Sequence, residues 1–283
     1  MSVLDELVLG ASRKCYKIVN SNTTQSYILK WGLKPYIDKI HWMLLQRTID
    51  EIQEVQIDGV ETCFHINTSN EFSRVRNVRI EERPVLEQIC KVMQEGDTFW
   101  DVGSCTGVFA VTIANMNPDS TVIAFEPYPP NKNSIRKNAE LNGCDISIRP
   151  EALSNQAGTD IIQTQYTKGP GSQQATIDSD YASTPKAQDY EKVKLLPGDE
   201  LIHNCISNPD VVKIDVEGHA PEVIDGMSEY LRPNKCRVAV VEPHNNSEEL
   251  WGELESRGYN VTTIKLGGDR GQVDEPTLIG TAE

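Results

Sequence analysis

The chain lacks paired cysteines, lacks a surplus of basic residues and lacks any apolar run of bilayer-spanning length. Each absence removes a class of function. Seven cysteines (Cys15, Cys63, Cys90, Cys105, Cys144, Cys205 and Cys236) are scattered, odd in number and never spaced C-x-x-C. That pattern speaks against a disulfide framework or a zinc site and predicts reduced, mostly buried thiols. Lys and Arg total 27 against 42 Asp and Glu, for a net charge of −15. Such a field repels phosphate backbones and anionic headgroups, so nucleic acid and membrane surfaces are not expected as partners. The opening "MSVLDELVLG" carries acids where a signal peptide needs basic residues. With no membrane span and no signal peptide, a cytoplasmic protein is expected. No internal repeat is visible.

What is present is enough apolar material for a sizeable core, 38 % of 283 residues, and two alternating periods from Asp97 onward. "TFWDVG", "STVIAFEP", "DISIRPEAL", "DVVKIDVEG" and "CRVAVVEPH" read as strands. "TGVFAVTIANM", "NKNSIRKNAELNG", "APEVIDGMSEYL" and "SEELWGELESRGY" read as helices, the second stopped at Asn142-Gly143 and the last opened by a Ser cap. "YNVTTIKL" and "PTLIGTA" supply two final strands. The alternation predicts an α/β fold with a mostly parallel sheet covered by helices on both faces. No helical pattern separates the last two strands, so they read as a hairpin with one strand antiparallel to the rest. Residues 1–82 stand outside the alternation as an N-terminal extension, with a mixed helical stretch and a hairpin turning at Asp58-Gly59. A segment rich in Gly, Ser, Gln, Asp and Pro, Tyr166 to Lys192, is an insertion expected to cover the acceptor pocket.

In "FWDVGSCTGVFAV" a strand ends at Asp101, a glycine turn follows, and a helix begins near Thr106. Ligands of open parallel sheets bind outside the carboxyl ends of the strands. Gly103 and Gly107 remove Cβ atoms there, which admits a bound molecule close to the backbone. Glu126 ends the next strand, where it can accept hydrogen bonds from both hydroxyls of a ribose. A dinucleotide would ask for G-x-G-x-x-G, and the register here is Gly103, Cys105 and Val108. S-adenosyl-L-methionine has no phosphate and asks for an acid before the turn and another on the next strand, as Asp101 and Glu126 provide.

The stretches "FWDVGSCTG", "VIAFEPYPPN", "IRPEALSNQAGT", "VVKIDVEGHAPEVIDGM" and "VAVVEPH" resemble, in order and spacing, the FkbM-type methyltransferases of the S-adenosylmethionine-dependent, Rossmann-like superfamily. The resemblance covers residues 82–265 and makes 83–283 a methyltransferase domain. It implies a seven-stranded sheet with an antiparallel final hairpin. Cys105 departs from the family, which commonly has Asn there.

The resemblance further implies that Asp101, Gly103, Ser104, Cys105, Thr106 and Gly107 line the methionine side of the cofactor. Glu126 would hold the ribose, with Pro127 to Asn131 shaping the same wall. Glu151, Ala152 and Leu153 would meet the adenine, although Ala152 and Leu153 also read as core. Asp215, Glu217 and Gly218 would stand beside the methyl-bearing sulfur.

Transfer of a methyl group to an oxygen needs alignment and a proton acceptor. His244 and His219 follow strand ends and are the candidate bases, His244 first. The expected acceptor is a hydroxyl on a small molecule or glycan, with no metal required, although Asp215, Glu217 and Glu242 offer a set for a divalent cation. RNA methylation and a non-catalytic S-adenosylmethionine-binding module are the competing readings.

Overall fold

The computed structural model describes residues 34–164, 169–171, 175–177, 190–244, 246–267 and 276–282. Cys15 and most of the 166–192 insertion lie outside the described residues.

A short helix, α1 (Lys34–Leu45), leads into a two-stranded hairpin, β1 (Ile52–Ile57) and β2 (Val60–His65). Asp58 and Gly59 both take positive φ, 47° and 84°, as a two-residue hairpin turn of the primed type demands. Two helices follow, α2 (Ser69–Ile80) and α3 (Arg83–Val92). Thr68 and Glu71 start α2 with a reciprocal capping box. Sequence patterning missed this helix because its polar face is wide and its apolar contrast weak.

The main body alternates strands and helices: β3 (Thr98–Val102), α4 (Val108–Met116), β4 (Thr121–Phe125), α5 (Pro129–Asn142) and β5 (Ser147–Arg149). After an excursion described below come α6 (Gly198–His203), β10 (Val211–Ile214), α7 (Ala220–Asp225), β11 (Val238–Val241), α8 (Ser247–Ser256), β12 (Asn260–Ile264) and β13 (Thr277–Thr281). Seven strands form one sheet in the order β12-β13-β11-β10-β3-β4-β5. The expected parallel sheet and closing hairpin are both there: β13 runs antiparallel to β11 and β12, and the remaining neighbours are parallel.

The excursion holds β6 (Ala152–Leu153), β7 (Gly158–Thr164), β8 (Ala175–Ile177) and β9 (Tyr190–Leu196), a second sheet ordered β6-β9-β7-β8. "DISIRPEAL" is therefore two strands rather than one. Pro150, with no N–H to donate, falls where the chain leaves β4 as partner and takes up β9. A second difference lies at α8, which begins after Asn246 without a side-chain cap; Ser247 is inside the helix.

Side chains on alternate strand positions build a core on each face of the main sheet. On one face, Phe99, Val211 and Val240 pack with Phe109, Ile113 and Ile135, and with Phe64, Val75 and Val78 from the N-terminal elements. On the other, Trp100, Val212, Ile214 and Val241 pack with Ile224, Leu250 and Leu254. Asparagines of α5 fix the hairpin: Asn138 Oδ1 accepts from His65 N at 3.0 Å and Asn142 Oδ1 from Cys63 N at 2.8 Å. The described N-terminal elements thus share one core with the sheet. The described cysteines are all unpaired, and among the described residues no helix is long and apolar enough to cross a membrane.

Candidate active site

Four adjacent parallel strands, β11, β10, β3 and β4, end on the same edge of the sheet. At or just past those ends lie Glu242, Asp215, Asp101 and Glu126. Parallel pairing puts Lys213 of β10 opposite Asp101 of β3. Topology alone therefore gathers four acids and a lysine along one line.

The glycine turn is built around Asp101. Ser104 Oγ donates to Asp101 Oδ2 at 2.7 Å and Ala110 N, in the first turn of α4, donates to the same oxygen at 3.2 Å. Asp101 Oδ1 and Thr106 Oγ1 are buried without a hydrogen-bond partner. Burial pushes the Asp101 carboxyl up, against the pull of Lys213. Gly103 has φ +83°, and a Cβ there would lie 2.0 Å from the carbonyl oxygen of Asp215. Cys105 is buried with φ 52°, and its N–H donates to Glu126 Oε2 at 2.8 Å. Tyr128 N donates to Glu126 Oε1 at 2.8 Å. Burial still pushes the Glu126 carboxyl up to about 7.

Asn131, in the first turn of α5, is buried, and its Oδ1 accepts from Gly171 N at 2.9 Å. Gly169 N donates to Tyr128 Oη at 3.3 Å, and Thr68 Oγ1 donates to Pro170 O at 3.0 Å. The described tripeptide of the insertion thus sits against the starts of α2 and α5. Glu151 is held by Arg149 through two hydrogen bonds, 2.8 and 3.1 Å. Ala152 and Leu153 are buried, Leu153 within the Trp100 core.

The second half of the site surrounds Asp215. Lys213 Nζ donates to Asp215 Oδ2 at 2.7 Å, and Arg74 Nη2 lies 3.7 Å from the same oxygen. His244 Nε2 lies 3.2 Å from Asp215 Oδ1, and its Nδ1 lies 3.7 Å from Glu217. Arg74 and Lys213 also stand against the Phe109 ring, 5.6 and 4.6 Å from its centroid. Burial alone would raise the Asp215 carboxyl. The Lys213 ammonium, then His244 and Arg74, outweigh it and hold Asp215 well below the usual carboxylate range. The Asp215 charge and then burial push Glu242 up to about 8.

Burial would lower the His244 imidazole, but Asp215, with Glu242 and Glu217, pushes it up to about 9. The ring of acids moves it away from an ordinary imidazole value. His219 is placed apart, its Nε2 3.1 Å from Ser154 Oγ and its Nδ1 3.5 Å from Glu222, and burial lowers its pKa.

Asp215, Glu242 and His244 each offer one ligand atom, and these atoms lie within 4.8 Å of one another, a spacing a divalent cation would accept. The same Asp215 carboxylate already carries the Lys213 ammonium.

Sequence reasoning missed Lys213 and Arg74. Lys213 had a signal: a lysine inside the otherwise apolar strand "VVKI" is buried on both sides and needs partners. Arg74 had none, because it reaches Asp215 from a helix far away in the chain.

The pattern that defines the methyltransferase FkbM domain matches residues 101–274. Among characterised proteins, the chain is 28% identical over 191 residues to the hexuronic acid methyltransferase AglP of Haloferax volcanii, covering 67% of this chain and 73% of that one. It is 23% identical over 241 residues to the 31-O-demethyl-FK506 methyltransferase FkbM of Streptomyces tacrolimicus, covering 76% and 91%. Among solved structures, a precorrin-6y C5,15-methyltransferase from Geobacter metallireducens aligns at TM-score 0.43 and 16% identity, over 71% of this chain and 87% of that one. With the family pattern running from Asp101 through the whole strand-end cluster, the chain belongs to the FkbM-domain methyltransferases, with their Rossmann-like α/β fold.

Proposed function

We propose that the chain is an S-adenosylmethionine-dependent methyltransferase that methylates an oxygen, most simply a hydroxyl, of a small-molecule or glycan acceptor. One observation carries this reading. Gly103 of the glycine turn rests on the backbone of Asp215, where a Cβ would overlap the carbonyl oxygen at 2.0 Å. The turn suited to the cofactor and the acid–histidine cluster suited to the acceptor are thus built directly against each other. The activity of AglP on a hexuronic acid supports a sugar-like acceptor.

The residues fit the cofactor. Asp101 Oδ1 and Thr106 Oγ1 are buried without a hydrogen-bond partner, and a ligand's polar groups would satisfy them. Asp101 and residues 103–107 would hold the methionine portion, Glu126 with Pro127 and Asn131 the ribose, and Glu151, Ala152 and Leu153 the adenine. When bound, S-adenosylmethionine supplies an electrophilic methyl group on a sulfonium. The chain's own task is to align the acceptor oxygen and take up its proton. Asp215 and Glu217 supply negative potential, and His244 takes the proton, with His219 second. The Asp215 cluster works with side-chain cations in place of a metal, because Lys213 and Arg74 already stand on the carboxylate. Residues 83–283 form the methyltransferase domain and residues 1–82 an extension. A cytoplasmic place belongs to the same proposal and is supported by the unpaired thiols.

A base must be neutral to accept a proton, and the acids around His244 hold its pKa at about 9. Acceptor kcat/KM is therefore expected to climb with pH, about tenfold per unit, until that value is reached. His244→Ala is expected to lose about 10²–10⁴ of turnover and the rising limb with it. His203→Ala, which removes a surface partner of Glu229, is expected to lose neither. A tritiated-methyl transfer screen against sugars, glycans, small hydroxyl compounds and RNA identifies the acceptor for these assays. Label found only on RNA, or near-normal turnover in His244→Ala, would overturn the acceptor class or the base, respectively.

A further inference from the structure

We propose that Arg74, carried on α2 of the N-terminal extension, is a positioning residue of the methyl-transfer site that holds Asp215 turned toward His244. The assignment rests on the reading of Asp215 and His244 as the acceptor half of the site.

Arg74 is 3 % exposed, so its guanidinium has lost its water and must be compensated by protein. Its Nη1 donates to Glu82 and its Nη2 lies 3.7 Å from Asp215 Oδ2, while its Cζ stands 5.6 Å from the centroid of the Phe109 ring. Lys213 Nζ occupies the same Asp215 oxygen at 2.7 Å. Two cations therefore hold Oδ2, and the other oxygen, Oδ1, is left for His244 Nε2 at 3.2 Å. Lys213 stands two residues before Asp215, within β10, and approaches from within the sheet. Arg74 approaches from α2, whose start is fixed to α5 by Ser134 Oγ donating to Glu71 Oε1 at 2.7 Å. A helix outside the family-matched residues 101–274 thus supplies half the clamp on a strand-end acid. An N-terminal segment that only covered the core would need no buried guanidinium, because an apolar residue fills such a place at lower desolvation cost.

The charged and titratable groups facing His244 are Asp215 from the end of β10, Glu217 from the following loop and Glu242 from the end of β11. Arg74 and Lys213 act on it through Asp215. This arrangement makes the His244 titration a readout with a decisive sign. If Asp215 stayed in place, deleting the Arg74 charge would raise the His244 pKa, since a nearby cation disfavours imidazolium. If Arg74 positions Asp215, its loss lets the carboxylate turn, His244 loses its partner, and the pKa falls.

The experiment is a histidine NMR titration of the full chain, with the His244 signal assigned by its absence in His244→Ala. In Arg74→Gln the His244 pKa is expected to fall by about one to two units, with Arg74→Lys restoring it most of the way. A rise or no change in Arg74→Gln would overturn the proposal. Should Arg74→Gln fail to fold, the paired variant Arg74→Met/Glu82→Leu takes its place, because exchanging both members of a buried ion pair for apolar residues is commonly tolerated. That pair leaves the net charge unchanged, so a stationary Asp215 predicts an unmoved His244, and a fall supports positioning. S-adenosylhomocysteine binding to the unmodified protein is measured alongside. Its absence would overturn the cofactor reading, while the titration still decides whether Arg74 orients Asp215.

Discussion

Replacing Lys213 by alanine is expected to lower folding stability by about 3–5 kcal/mol, the usual consequence of removing one partner from a buried ion pair. Lys213 is 3 % exposed and stands between Asp215 at 2.7 Å and Asp101 at 4.0 Å. Removing its ammonium leaves two carboxylates at the end of adjacent strands with Arg74 as their remaining buried cation. It also opens a cavity against the Phe109 ring, over which Nζ sits. Lys213→Met separates the two contributions, since it refills the volume and still removes the charge. Urea denaturation at neutral pH measures both, with a shift in midpoint at constant slope as the stability change. A loss under 1 kcal/mol in both variants would show that Asp101 and Asp215 are not held by Lys213.

Gly103→Ala is expected to cost about 3 kcal/mol or more and to abolish S-adenosylhomocysteine binding, by at least about a hundredfold. Two effects add. An alanine at φ +83° pays about 1–2 kcal/mol for the left-handed conformation. Its Cβ would also fall 2.0 Å from the Asp215 carbonyl oxygen, a backbone atom that yields only if β10 shifts against β3. Overpacking of that kind typically adds about 1–3 kcal/mol. Gly143→Ala is the control: φ is +65° and a Cβ there would meet nothing within 4 Å, so the conformational cost acts alone. If thermal unfolding and calorimetry show the two alanines to be equivalent, the close seat of the glycine turn on Asp215 is not what sets the requirement at residue 103.

The sheet was legible in the sequence because its signals are local. Phe99–Val102, Val122–Phe125, Val211–Ile214 and Val238–Val241 are short apolar runs, each ended by Gly, Pro or an acid, and each is a buried strand. Gly143 closes α5 in the left-handed conformation its position suggested. Asp101, Glu126, Asp215 and His244 could be singled out because they sit at the ends of those runs. The smaller sheet was missed, although "KVKL" within it alternates with period two: Val193 is buried and Lys194 exposed. A Gly- and Ser-rich stretch nearby made the whole segment read as loop. The His244 environment is hidden from the sequence for a different reason. Its pKa is set by Asp215, Glu217 and Glu242 arriving from two strand ends, and no single stretch of sequence displays that sum. Arg74 belongs to the same class, being polar within a polar helix until α2 docks on the sheet.

The central claim is that the turn at Asp101–Gly107 and the acid at Glu126 hold S-adenosylmethionine. Isothermal calorimetry with S-adenosylhomocysteine and with NAD, on the unmodified protein and on Glu126→Ala, tests it most directly. S-adenosylhomocysteine is expected to bind and NAD to bind poorly, and Glu126→Ala is expected to weaken the former by about 1–3 kcal/mol through loss of a charged hydrogen-bond acceptor. Tight NAD binding with no S-adenosylhomocysteine binding, or an affinity untouched by Glu126→Ala, would contradict it.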